Sequence, residues 1–351
     1  MKNICLTAAA CMCLLASCSN DDKYEGLDRS GTKAEIYGNI AHSRMAGTTW
    51  AQNDAIGVTV KSGTEETAST LRTNVQYVTT DATGAFTAAV DDHDIHLLGT
   101  GPWELSAYYP YNGEEGTLAE SIAVDASDQT KATTFDFLWA EADVDQIESE
   151  PAEKYEVNFA FTHRMSRIDL IFKNTNTAAD AETSFSYKLK GLITDGTFAP
   201  ATGVVTAGTT TTEFEVTGGT LSIDNTNVNN SFIVPPQTLE VNQVKIEITV
   251  GTTTTKYYSV AIPAIILDST KKYTYTITVD DKLKVPAITV TANNITDWTE
   301  GITDGSGNLD ATDDPSDTGL TTGGNDASAT PTWTNGNNTT SVTSTEQSSG
   351  N

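Results

Sequence analysis

Lys272-Tyr273-Thr274-Tyr275-Thr276-Ile277-Thr278-Val279 alternates without a break between a large apolar side chain and a threonine or lysine. A period of two places Tyr273, Tyr275, Ile277 and Val279 on one face of an extended strand and the hydroxyls on the other. A helix would need an apolar stripe at a spacing of three and four residues, and the chain sustains none. The same rhythm recurs upstream, in Ile56, Val58 and Val60, in Val157, Phe159 and Phe161, and in Ile168, Leu170 and Phe172. Gly, Asn and Asp punctuate the runs, and Asp81-Ala82-Thr83-Gly84 between Asn74–Thr79 and Ala85–Val90 reads as a hairpin turn. Each strand has one face to bury, so the expected architecture is all-β, with sheets packed face to face.

Working outward, Lys33–Ile40 and Glu104–Tyr111 read as strands, and Phe135-Asp136-Phe137-Leu138-Trp139 as the apolar centre of the less regular stretch 117–147. The second half offers Ser186–Thr194, Gly203–Ala207, Glu213–Val216, Ser231–Pro235, Gln243–Val250, Lys256–Ile262 and Ala287–Ala292. The expected divisions are a leader over 1–17, a polar tether over 18–31, β-sandwich domains over 32–163 and 164–300, and a flexible tail over 301–351. That tail has no Lys or Arg and too few apolar residues to offset the entropy of ordering it.

The leader begins with Lys2 and an apolar stretch from Ile4 to Leu15, too short to span a bilayer, and ends at Leu15-Ala16-Ser17-Cys18. Those four residues resemble a bacterial lipobox, with cleavage between Ser17 and Cys18 and lipid on the Cys18 sulfur. All four cysteines (Cys5, Cys11, Cys13 and Cys18) lie here, so the mature chain keeps none for disulfides, thiolate catalysis or a zinc cluster. Ser19-Asn20-Asp21-Asp22 resembles the surface-export signal of Bacteroidetes lipoproteins, which implies a lipid-anchored, surface-exposed location on the outer membrane. A formal charge of −27 over 351 residues repels nucleic acid and anionic lipid, so no nucleic-acid partner is expected.

Catalytic and metal-binding patterns are weak. His93 and His96 in Asp91-Asp92-His93-Asp94-Ile95-His96 would face opposite sides of a strand, which favours an acidic turn over a metal site. Asp304-x-Ser306-x-Asn308 opens like a calcium loop, but Leu309 and Pro315 stand where glycine and glutamate are required. His163 has no thiol partner and no Gly-x-Ser-x-Gly elbow, and reads as a hydrogen-bonded histidine at a strand end. No catalytic residue, metal or cofactor is assigned.

Six runs stand in one order along the chain: Trp50-x-x-Asn53-Asp54-Ala55-Ile56-Gly57-Val58, Ala107-Tyr108-Tyr109-Pro110-Tyr111, Phe159-Ala160-Phe161-Thr162-His163-Arg164-Met165-Ser166, Val234-Pro235-Pro236-Gln237-Thr238-Leu239, Lys272–Ile277 and Ile295-Thr296-Asp297-Trp298. Together they resemble the fimbrillin family of Bacteroidetes, lipoprotein subunits of type V pili. The resemblance implies two tandem transthyretin-like, Greek-key β-sandwich domains and a structural rather than enzymatic role. It further implies cleavage by an Arg-specific protease behind the first strand, here between Arg44 and Met45, which would release the strand around Ile36 and Ile40. The slot so opened would take an extended segment of another fimbrillin subunit.

The chain departs from the family pattern by continuing about fifty polar residues past Trp298. A donor within 284–298 would leave that stretch trailing, whereas one within Ala329–Thr345 offers only Trp333 and Val342 as sizeable plugs, a poor filling for an apolar slot. The alternative function is a permanently anchored adhesin or glycan-binding module, with Trp50, Trp103, Trp139 or Tyr108 as stacking platforms.

Overall fold

Over Tyr155–His163 the buried and exposed side chains alternate almost perfectly, with Tyr155, Val157, Phe159, Phe161 and His163 inward. That pattern repeats through a computed structural model describing residues 31–40, 50–62, 72–79, 83–97, 102–145, 154–174, 183–221, 230–251, 256–279, 287–290, 299–300, 306–308 and 310–312. The strands are β1 (Thr32–Ile40), β2 (Ala55–Ser62), β3 (Val75–Thr79), β4 (Ala85–Ala88), β5 (His96–Leu97), β6 (Trp103–Tyr109), β7 (Ile122–Asp125), β8 (Leu138–Val144) and β9 (Tyr155–His163). The second half adds β10 (Ser166–Asn174), β11 (Thr183–Ile193), β12 (Asp195–Ala199), β13 (Val204–Ala207), β14 (Thr211–Leu221), β15 (Asn230–Val234), β16 (Gln237–Leu239), β17 (Lys245–Val250) and β18 (Lys256–Ala261). It ends with β19 (Ile265–Leu267), β20 (Lys271–Val279), β21 (Ala287–Val290), β22 (Thr299–Glu300), β23 (Ser306–Asn308) and β24 (Asp310–Thr312). The helical content described is one short 3-10 segment, Gln129–Thr134, capped by Asp128.

The N-terminal strands follow the order β4-β3-β2-β6-β8-β9-β1, and β1 then pairs back onto β4. The sheet is thereby laced shut, which removes the free edges an open sheet would present. Ile36, Val58, Leu105, Phe159 and Phe161 meet inside it. In the C-terminal half two sheets face each other, β15-β10-β20-β21-β23 and β14-β11-β17-β18-β24. Their inner faces share one core that includes Ile168, Phe172, Tyr187, Ile246, Tyr275 and Ile277.

Both halves use the same closing device. In the first, β1 runs parallel to β9 from Ala34↔Tyr155 to Ile40↔Phe161. In the second, β10 runs parallel to β20 from Arg167↔Lys272 to Asn174↔Val279. The first strand of each half therefore lies beside a late strand of the same half.

A third core lies where the halves meet. β7, from the first half, pairs with β12 of the second, and β13 completes a three-stranded sheet. Phe137 stacks on Phe198 with centroids 4.3 Å apart. The Gln129 amide donates to the Ile233 carbonyl (3.0 Å) and accepts from the Ile233 N–H (2.8 Å), matching a backbone group as a neighbouring strand would. Ala126 N–H donates to the Thr194 carbonyl at 2.8 Å. The residues from Phe135 to Trp139, read from the sequence as an apolar centre, belong mostly to this joint.

Within 301–351, expected to be a flexible tail, β23 pairs with β21 and β24 pairs with β18. On β20 much of the threonine face is covered as well: Thr274 and Thr276 are buried, like the tyrosines beside them.

Candidate functional site at the first strand

β1 alternates as its sequence demands, with Ala34, Ile36 and Gly38 buried. Its backbone is bonded along both edges. One edge meets β9 through the parallel ladder. The other meets β5 at Thr32↔Leu97 and Lys33↔His96, then β4 at Ile36↔Phe86 and Tyr37↔Ala85. Ala34 N–H donates to the Ile95 carbonyl and Gly38 N–H to the Gly84 carbonyl, both at 2.8 Å. Burying Ile36 contributes about 2 to 3 kcal/mol, and each satisfied backbone bond about 1 kcal/mol.

Gly38 is the tightest point. A Cβ there would stand 2.8 Å from Phe161 Cε2 and 3.2 Å from Phe86 Cε2, so the strand passes only because this residue has no side chain. Gly84 matches it across the ladder: at φ +81, its own Cβ would fall 2.2 Å from the Gly38 oxygen. Trp50 closes the same place. Its indole N–H donates to the Gly38 carbonyl at 2.7 Å, and its ring packs edge-on against Phe86 (5.0 Å), Phe161 (5.3 Å) and Tyr109 (5.6 Å). A lone glycine inside a strand pattern was the available sequence signal for this close approach. Trp50 carried no signal of its role beyond its type.

At the other end, Tyr155 is the register partner of Ala34 and packs 4.9 Å from Trp103. The Trp103 Nε1–H and the Tyr155 hydroxyl are buried and have no hydrogen-bond partner among the described residues. Burial of such groups unpaired is costly.

The solvent face of β1 carries charge. Glu35 accepts from Lys154 (2.8 Å) and from the Tyr37 hydroxyl (3.0 Å), and Lys33 pairs with Asp94 at 2.8 Å. Lys154, and after it Tyr37, hold the Glu35 carboxyl below the usual carboxylate range. Such exposed pairs contribute little. Apolar seating and backbone pairing hold the strand.

Ser17 and Cys18, together with Arg44 and Met45, lie outside the described residues, as does most of the 301–351 stretch. The four aromatics considered as stacking platforms, Trp50, Trp103, Trp139 and Tyr108, are all buried. His163 sits at the end of β9, buried, with Nδ1 2.8 Å from Asp136 Oδ1. In the acidic turn, His93 Nδ1 lies 2.6 Å from Glu115 Oε2, while His96 Nδ1 lies 2.9 Å from the Asp94 carbonyl. Among the described residues no group of three or more His, Cys, Asp or Glu is placed to hold a metal ion.

Comparison with known proteins addresses the same chain. The profile of the family described as "Fimbrillin-like" matches residues 43–298. A curated relative from Bacteroides uniformis, named "Putative fimbrium subunit Fim1C", is 29% identical over 220 residues, covering 60% of this chain and 69% of that protein. A solved "putative cell adhesion protein" from Bacteroides ovatus has a TM-score of 0.60 and 28% identity, covering 79% of this chain and 100% of that one. A second structure so titled, from Bacteroides uniformis, has a TM-score of 0.50 at 22% identity, with 71% and 93% coverage, and speaks to the fold alone.

Proposed function

This chain belongs to the fimbrillin-like family, and on that premise we propose that it is a structural pilus subunit, delivered as a lipoprotein precursor and assembled by removal of β1 followed by strand exchange. The observation that carries the reading is the position of β1. It is bonded on both edges and seals an apolar interior, so its loss would leave a slot between β9 and β4 with two rows of unpaired backbone groups. A strand from another subunit restores both the ladder and the burial.

In this reading the leader is cut between Ser17 and Cys18, and lipid on Cys18 carries the precursor to the outer face of the outer membrane. An Arg-specific protease then cuts between Arg44 and Met45, releasing β1 with its lipid. Residues 32–163 and 164–300 act as two sandwich domains, and the partners are other fimbrial subunits. The alternative, a permanently anchored adhesin or glycan-binding module, loses the aromatic platforms it would draw on, because all four are buried.

The test treats the purified, unlipidated precursor with an Arg-specific protease and follows mass and size. A cut after Arg44 that yields SDS-resistant ladders, both blocked by Arg44→Ala, is the expected result. A chain that is not cut there, or is cut and stays monomeric, overturns the mechanism.

A further inference from the structure

The parallel pairing that closes each half also fixes how each half meets a pull. β1 opens the first half and β9 closes it, in register over seven residue pairs. β10 opens the second half, and β20 lies beside it over eight. The chain enters each pair at the N-terminal end of one strand and leaves at the C-terminal end of its neighbour. Because the two strands are parallel, those ends lie at opposite ends of the ladder. Tension between them runs along the strands and loads all the interstrand bonds at once. Had the strands been antiparallel, the two ends would coincide, and the bonds would open one pair at a time. The strands after β20 are four residues long or shorter, so tension at the C-terminus reaches β20 once they have peeled.

The two pairs stand in series. Only Arg164 and Met165 separate the end of β9 from the start of β10, so a pull on β9 passes straight into β10. That short link is itself held: Arg164 N–H donates to the Phe137 carbonyl at 2.8 Å, and Thr270 N–H to the Met165 carbonyl at 3.1 Å. Both entering strands are bonded on both edges, β1 by β9 and by β5 with β4, β10 by β20 and β15. The pulled end of β10 is tied further. The Ser166 hydroxyl donates to the Asp268 carbonyl at 2.6 Å, and Arg167, bound to Asp169 at 2.7 Å, also donates to Ser231 of β15 at 3.1 Å.

β1 also carries a steric stop. A slip of one residue would turn its apolar face outward, so the nearest register that keeps the face is two residues away. Drawn that far toward its N-terminus, β1 would bring Ile40 to the place of Gly38. A Cβ there stands 2.8 Å from Phe161 Cε2 and 3.2 Å from Phe86 Cε2. The strand is therefore barred from sliding through intermediate registers and has to leave its ladder as a whole.

We propose that the chain is a tension-bearing element, in which the β1–β9 and β10–β20 pairs carry load in series from one end of the protein to the other. This role does not rest on strand exchange, because both pairs lie within one intact chain and the second does not include β1.

The experiment pulls single molecules of the unlipidated, uncut chain from Ser19, which has no cysteine of its own. Handles at the two termini load both pairs along the strands. Lys154→Cys, at an exposed position just before β9, places a handle at the same end as the start of β1. Lys173→Cys does the same for the C-terminal ends of β10 and β20. Pulling the N-terminus against residue 154, or residue 173 against the C-terminus, unzips one pair at a time. Each cysteine variant is pulled both ways at one loading rate, so a folding defect lowers both forces and leaves their ratio. The expected end-to-end rupture force is about threefold or more above the unzipping force for each pair, since bonds that break singly in one geometry must break together in the other. The length released identifies the pair that gave way: roughly 450 Å for residues 32–163 and roughly 390 Å for 166–279, at about 3.4 Å per residue. Equal forces in the two geometries, in either half, overturn the proposal. Neither result bears on strand exchange, which the protease test decides separately.

Discussion

The Trp50 indole N–H donates to the Gly38 carbonyl at 2.7 Å, so a residue beyond the expected cut at Arg44 grips the backbone of the strand before it. Under the proposed cut, any strand that replaced β1 would meet the same donor, because Trp50 would stay with the body of the protein while β1 left it. Trp50 thus joins the apolar wall of the slot to its hydrogen-bonding.

Trp50→Phe keeps an aromatic ring against Phe86, Phe161 and Tyr109 but leaves the Gly38 carbonyl unpaired. Loss of about 1 to 3 kcal/mol is expected in urea unfolding, with faster amide exchange across β1. Unchanged exchange in β1 would show that packing alone seats the strand.

Gly38→Val drives branched bulk into Phe161 and Phe86. Overpacking of this kind costs about 1 to 3 kcal/mol. The expected signature is a chain that an Arg-specific protease cuts faster than wild type, measured by mass, because β1 is seated less firmly.

Phe198→Ala removes a fully buried ring from the joint, where it stacks on Phe137 at 4.3 Å and meets Tyr108 at 6.0 Å. A loss of about 3 to 5 kcal/mol is expected. Calorimetry should resolve two transitions where wild type shows one, since the β7–β12 pairing and this core couple the halves. A single shifted transition would mean that other contacts carry the coupling.

Burial raises the phenol pKa values of Tyr77, Tyr187 and Tyr275, and burial together with nearby Asp54 raises that of Tyr109. A raised folded pKa means the stability is fully present below the unfolded tyrosine value of about 10 and is lost as pH climbs beyond it toward the folded values. Phenolate absorbance from these residues should therefore appear together with unfolding, measured by parallel absorbance and circular dichroism titrations. Ionisation well before unfolding would contradict their burial.

Most strands were legible because alternation is local. Val157, Phe159 and Phe161 declare a strand and its inward face within five residues, and β9 follows them. The hairpin around Asp81–Gly84 was equally plain, and β3 and β4 do pair. Three kinds of feature were not. β12 has Phe198 as its one large apolar residue and shows no rhythm, and β7 lies in an irregular stretch, yet these two join the halves. β16 and β19 are too short to carry a period. The threonine face of β20 reads as the face away from the core, yet Thr274 and Thr276 on it are buried.

By itself the sequence determined that the chain is built of strands, which face of each seeks the core, and that Gly38 interrupts the first of them. These follow from side-chain size and a period of two, which need no knowledge of neighbours. Only the tertiary structure decided that β1 runs parallel to β9, that it laces the sheet shut against β4, and that Ile36 is the one large side chain of β1 to be fully buried. Pairing is made by backbone groups that every residue shares, so no letter announces its partner. The space around β1 is set by Phe86, Phe161 and Tyr155, which lie 50 to 121 residues from their register partners in the strand they enclose.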